Sequence, residues 1–156
     1  MSISSRSYTV VDLRNDIDRI VQQIEASNVK YDYIVPVIRG GLIPGVMLSH
    51  KLGINCLPVG LQTRDFTNKV TLEFGAYGSI IRDSINNLSK RILLVDDIID
   101  SGETVTRIIK RDFAVKQNVD ICGLIYNTAQ SFVPNFYGRT IDRNVDNSWI
   151  KFWWEC

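Results

Sequence analysis

Three short runs with almost no polar residues, 33–38, 92–95 and 121–126, constrain this chain more than anything else in it. Each is short for a buried helix and lacks the in-and-out alternation of a half-exposed strand. Such runs suit strands covered on both faces, as in a parallel sheet. The segments between them carry a helical period. Leu13, Ile17, Ile20, Val21 and Ile24 fall on one stripe of a helix expected over 10–26, and Thr9 with Asp12 three residues on suits its start. A second helix is expected over 43–52, with Pro44 in its first turn and Gly53 just past its end. Val105, Ile108, Ile109 and Phe113 mark a third, and a further strand is expected over 55–61. Strands alternating with helices predict an α/β fold with a mostly parallel central sheet and flanking helices.

Composition excludes several classes of function. Of 156 residues, 45% are hydrophobic, which is enough to build one globular core and rules out disorder. Lys and Arg number 18 against 17 Asp and Glu, so nothing in the total charge marks a nucleic-acid binder. Cys56, Cys122 and Cys156 show no CxxC spacing and His50 stands alone, so neither a Cys/His metal cluster nor a disulfide framework is expected. The first residues lack the pattern of a signal peptide, and no apolar run approaches the roughly 20 residues that span a bilayer. A cytoplasmic protein with reduced thiols and no membrane partner is the expectation.

In parallel sheets, ligands bind beyond the carboxyl ends of the strands. Two expected strands end in unusual sequences, Arg39-Gly40-Gly41 and Asp96-Asp97-Ile98-Ile99-Asp100-Ser101-Gly102-Glu103-Thr104, which should open onto one crevice. In the second, adjacent carboxylates close a buried strand and a third acid precedes a helix start. Main-chain amides of 101–104, with the Ser101 and Thr104 hydroxyls, suit a phosphate, and Gly102 permits close approach. Carboxylates accept hydrogen bonds from hydroxyls and repel a bare phosphate, so the pair beside this loop points to a phosphorylated sugar. Taken singly, these acids would be an ordinary capped turn. A receiver domain also carries paired aspartates after an apolar strand, but there the pair follows the first strand, and here it lies past the middle of the chain.

The run Val95 to Thr104 resembles the phosphoribosyl-pyrophosphate signature of the type I phosphoribosyltransferases. Val37-Ile38-Arg39-Gly40-Gly41 resembles that family's pyrophosphate loop. Asp146-Asn147-Ser148-Trp149-Ile150, with Trp154-Glu155, is similar to the base-binding segment of its bacterial xanthine-guanine and hypoxanthine members. The resemblance implies that a purine displaces pyrophosphate from C1 of phosphoribosyl pyrophosphate, giving a nucleoside monophosphate, with Mg2+ as cofactor. It implies that Arg39, Gly40 and Gly41 hold the pyrophosphate and that Asp96 and Asp97 hold the ribose hydroxyls and the metal. Asp100 matches the general base at the purine N7, and an acid there favours a 6-oxopurine. Ser101, Gly102, Glu103 and Thr104 match the phosphate loop. A non-proline cis peptide is implied at Ile38–Arg39.

On the base side, Trp149 matches a stacking residue, Ile150 a lining residue, and Glu155 a further base contact. Asn127 stands where 6-oxopurine enzymes carry a lysine that donates to O6; an amide both donates and accepts, so the choice between 6-oxo and 6-amino bases stays open. The resemblance makes the chain one domain over 1–156, with a mobile catalytic loop at about 63–80 and a base-binding hood over about 128–156. Partners are then phosphoribosyl pyrophosphate, a purine, and further copies of the chain in a dimer or tetramer. The rival reading is a regulatory module that keeps the sugar-phosphate site and binds RNA through Lys90, Arg91, Arg107, Lys110 and Arg111.

Overall fold

Thr9 starts the first helix as its spacing predicts. Its Oγ1 accepts from the Asp12 N–H at 3.1 Å while the Asp12 carboxylate accepts from the Thr9 N–H at 2.8 Å, so two amides that lack helical partners are satisfied reciprocally. The helix runs Val10–Ser27 and ends at Asn28, in the left-handed conformation with φ 57°. Leu13, Ile17, Ile20 and Ile24 form its buried stripe.

The computed structural model describes residues 4–60, 89–113 and 118–155. In order, its elements are β1 (Ser5–Tyr8), α1 (Val10–Ser27), β2 (Tyr33–Ile38), α2 (Leu42–Leu52), β3 (Asn55–Cys56), β4 (Val59–Gly60), β5 (Arg91–Ile99), α3 (Glu103–Asp112), β6 (Asn118–Asn127), β7 (Phe136–Ile141), β8 (Trp149–Phe152) and a 3-10 turn, Trp153–Glu155. The expected loop at 63–80 lies outside the described residues. Among the described residues all strand pairs are parallel. The main sheet has the order β3-β2-β5-β6-β7, with β4 also on β2, and β1 pairs with β8 in a separate two-stranded sheet. The α/β class is as expected.

Why the central runs are apolar throughout follows from their two faces. Leu93 and Val95 of β5 point into one cluster with α1, α2 and Ile34, while Ile92 and Leu94 point into another with Val105 and Ile108 of α3. Alternation carries successive side chains to opposite faces, and here both faces are covered.

Three expectations need correction. The strand expected over 55–61 is broken into β3 and β4, because Pro58 has no N–H for the ladder, although both pieces keep one register against β2. β5 runs on to Ile99, so Asp96 and Asp97 lie within the strand, Asp96 opposite Gly123. Residues 136–141, expected in a hood, form β7, which extends the main sheet beside β6. The two terminal segments pair with each other as β1 and β8, apart from the main sheet.

Candidate functional site

The site lies where β2, β5 and β6 deliver their carboxyl ends. β2 ends in a turn whose Ile38–Arg39 peptide is cis, as the resemblance implied, and the Gly41 N–H returns to the Val37 carbonyl at 2.9 Å. This turn lies against the end of β5. A side-chain carbon on Gly40 would occupy the space of the Asp97 carboxylate, so glycine is required there for close approach.

Asp96 and Asp97 turn their carboxylates onto their own strand. Asp96 Oδ1 accepts from the Asp97 N–H at 3.0 Å, and Asp97 Oδ1 accepts from the Ile98 N–H at 2.7 Å. Burial pushes both acids above the ordinary carboxylate range. For Asp96 the neighbouring Asp97 charge adds to this; for Asp97 the amide bonds oppose it and Glu155 adds to it. The charge of Glu155, in the C-terminal turn 58 residues further on, is thus felt at the acid pair.

At the end of β5 the chain forms an open concavity lined by Asp96, Ile98, Ile99 and the loop from Asp100 to Val105. Gly102 caps α3 with φ 76°, a left-handed geometry, and the Phe132 ring occupies the space a side chain would need. At the start of α3 the Glu103 N–H donates to Ser101 Oγ at 3.3 Å, and Ser101, Gly102, Glu103 and Thr104 all line the concavity. Glu103 is exposed and paired with Arg107, whose positive charge offsets it beside the loop.

The base-side candidates separate. Trp149 is 62% exposed, whereas Ile150 is buried in the cluster that holds Tyr8 and Phe152, because neighbours on a strand face opposite ways. Ile150 also lines a small crevice with Tyr8, Ile125 and Arg139. Glu155 accepts from the Phe152 N–H at 3.2 Å, and Trp154 stacks on Phe152 at 4.6 Å. Asn127, expected at the base edge, is 0% exposed and donates from Nδ2 to Asp100 Oδ1 at 2.5 Å. The structure thus brings together 39–41, 96–97, 100–104, 127 and 155, puts the Ile150 side chain in the core and leaves the Trp149 indole open.

Two contributors were missed in the sequence. Phe132 covers Gly102, and Arg143 reaches the Ser148 carbonyl at 2.6 Å just before β8. Neither sits in a motif; each acts across a turn with no periodic signal. The proposed basic RNA face is largely engaged. Lys90 pairs with Asp32 at 2.9 Å, Arg91 with Asp120 at 2.8 Å, Arg111 with Asp112 at 2.7 Å, and Arg107 with Glu103. Among the described residues no three His, Cys, Asp or Glu side chains cluster as a metal cage, and no helix is long and apolar enough to cross a membrane.

The comparisons with known proteins bear on this arrangement. Residues 9–156 match the phosphoribosyl transferase domain. An adenine phosphoribosyltransferase of Brachyspira hyodysenteriae is 32% identical over 98 residues, 60% of this chain and 56% of that protein. The chain therefore spans a little over half the length of that curated relative. Among solved structures, a purine phosphoribosyltransferase from Pyrococcus horikoshii superposes with a TM-score of 0.71 at 27% identity, covering 97% of this chain and 94% of that one. A Helicobacter pylori xanthine-guanine-hypoxanthine phosphoribosyltransferase shares the fold with a TM-score of 0.74 at 22% identity and the same coverage. The family match runs unbroken through the β2 turn, the β5–α3 loop and the C-terminal turn that meet at this site, and the chain belongs to the phosphoribosyl transferase domain family.

Proposed function

We propose that this protein transfers the phosphoribosyl group of phosphoribosyl pyrophosphate to a purine base, releasing pyrophosphate and a nucleoside monophosphate, as a step of purine salvage. The observation that carries the reading is the contact between the Arg39-Gly40-Gly41 turn and Asp97, beside a helix start opened by Gly102. One crevice then offers acceptors for sugar hydroxyls, main-chain donors for a 5′-phosphate, and a cationic turn for a leaving pyrophosphate.

In this reading the purine N9 forms a bond to C1 as the C1–oxygen bond breaks and its electron pair leaves with pyrophosphate. Positive charge develops on the ribose and negative charge on the leaving group. Asp96 and Asp97 hold the ribose from the strand end, and Arg39 and the amides around Gly40 and Gly41 answer the negative charge. Asp100 takes the N7 proton on its free oxygen, its Oδ1 being engaged by Asn127. The exposed Trp149 indole offers a face on which a purine stacks. Glu155, whose charge is felt at Asp97, is the candidate for the base edge.

Adjacent buried carboxylates fit Mg2+, a hard cation that takes one or two carboxylates plus substrate oxygens and needs no all-protein cage. Asp96 and Asp97 would hold it, and it would neutralise charge on the diphosphate. We place the working protein in the cytoplasm as a dimer or tetramer, and read the chain as one catalytic unit. Assay with hypoxanthine, guanine, xanthine and adenine, each with phosphoribosyl pyrophosphate and Mg2+, tests the reading. Nucleotide from at least one base is expected, and none from any base overturns it. Asp100→Asn is expected to lower kcat about 10²- to 10⁴-fold with the KM for phosphoribosyl pyrophosphate near wild type; an unchanged kcat removes Asp100 from the base role.

A further inference from the structure

Asn127 ends β6 at the mouth of the site, yet it is wholly closed off from solvent. An amide side chain has two donor hydrogens and an oxygen that accepts twice. Here the oxygen is full: Oδ1 accepts from the Ala129 N–H at 3.0 Å and from the Arg143 N–H at 3.2 Å. These two donors fix which way round the amide lies, because a flipped group would set its NH2 against them and its oxygen against a carboxylate. The nitrogen must therefore face Asp100, and it donates to Oδ1 at 2.5 Å.

The same side chain reaches a second part of the site. Arg143, whose amide it accepts, sends its guanidinium to the Ser148 carbonyl at 2.6 Å, one residue before Trp149. One buried amide thus sits between the acid at the start of the β5–α3 loop and the segment that carries the exposed indole.

We propose that Asn127 is a positioning residue for the transfer step, holding one oxygen of Asp100 so that the other meets the base, and tying the 143–148 segment to the same point. The inference rests on the transferase reading above. It also removes Asn127 from direct recognition of the base, since its acceptor is saturated, one donor hydrogen is directed at Asp100 and the side chain is closed off from solvent. Selection of the purine must then fall to other groups.

Asn127→Asp separates positioning from folding. An aspartate keeps acceptors for Ala129 and Arg143 but replaces the donor to Asp100 with a like charge, which drives the Asp100 carboxylate away. Expected is a kcat lower by at least about tenfold, with the KM for phosphoribosyl pyrophosphate within about twofold of wild type. The exchange variant Asp100→Asn with Asn127→Asp restores a donor and an acceptor at this contact with their places swapped. It is expected to recover the Tm lost in Asn127→Asp and to leave kcat low, since the carboxylate is now the buried partner. A wild-type kcat in Asn127→Asp overturns the proposal, as does a KM that worsens as much as kcat. So does an exchange variant that regains no Tm or that fails to fold. If Asn127→Asp alone does not fold, the exchange variant, free of the like-charge clash, carries the test. A wild-type protein inactive on every base overturns the transferase reading and the catalytic role with it, while the Tm of the exchange variant still reports separately on whether the contact exists.

Discussion

Two buried acids, Asp16 and Asp96, are treated in contrary ways. Asp16, on α1, is 0% exposed and fully answered: it accepts from the Tyr8 hydroxyl at 2.7 Å, from Arg139 Nε at 2.6 Å and from Arg19 at 2.9 Å. Arg139 lies over the Tyr8 ring at 5.1 Å, and burial together with Asp16 pushes the Tyr8 hydroxyl far above its ordinary pKa, so it stays a donor. Asp96 is nearly as buried, but its neighbour is another acid and the bonds of the pair are to amides of their own strand. The first acid has its counter-charges within the fold and joins β1, α1 and β7. The second pair raises its own electrostatic cost, which is how a site built for an outside ligand looks before the ligand arrives.

The largest effect follows from removing the answered acid. Asp16→Asn leaves Tyr8 and Arg139 with a neutral partner at this buried point, Arg139 keeping only the partly exposed Asp12 at 2.9 Å, and breaking such a pair costs about 3 kcal/mol. That corresponds to a Tm lower by roughly 6–12 °C in a domain of this size. Calorimetry that finds Tm within 2 °C of wild type, with the threshold taken as about half a kcal/mol, would mean that the cluster is no more structural than the acid pair.

The converse substitution sharpens the contrast. Asp96→Asn keeps an oxygen for the Asp97 amide and removes one of two charges that burial and mutual repulsion disfavour. The ligand-free protein is expected to gain about 1 kcal/mol of stability, a Tm higher by roughly 2–4 °C, while transferase turnover falls at least about tenfold. Stability and activity should move in opposite directions here and nowhere in the Asp16 cluster. A fall in both would show that Asp96 is as structural as Asp16.

The same contrast explains what could be read from the sequence. The runs at 33–38 and 92–95 are legible because both faces of those strands are apolar, and the α1 stripe because burial there has one period. The acid and glycine positions are legible because they crowd into one loop. β7 is hidden: Gly138 sits in mid-strand where the Asp16 side chain packs against it, and Arg139 follows, so a buried strand reads as a polar turn. β1 and β8 are four residues each and pair across nearly the whole chain, leaving no local trace. The placement of Asn127 depends on partners 27 and 16 residues away, so spacing within its own motif could suggest only the base edge.

The smallest expected effect belongs to a third acid, intermediate between the other two. Asp12 is partly exposed and held down to about 2, first by the Thr9 hydroxyl, then by the Thr9 amide, with Arg139 adding less. Its folded-state pKa lies below the unfolded value of about 3.9, so its contribution is complete above pH 4 and is lost as pH falls toward 2. Thr9→Ala removes the largest cause of that depression together with the cap, and is expected to cost about 1 kcal/mol at pH 7 in urea unfolding. Because part of that cost is linked to the Asp12 proton, the gap between wild type and variant should narrow between pH 4 and about 2. A gap that stays constant through that window would assign the whole effect to helix capping by the Thr9 hydroxyl and none to the charge of Asp12. The acids of this protein would then fall into two classes, those answered by the fold and those kept for a ligand, with no graded case between them.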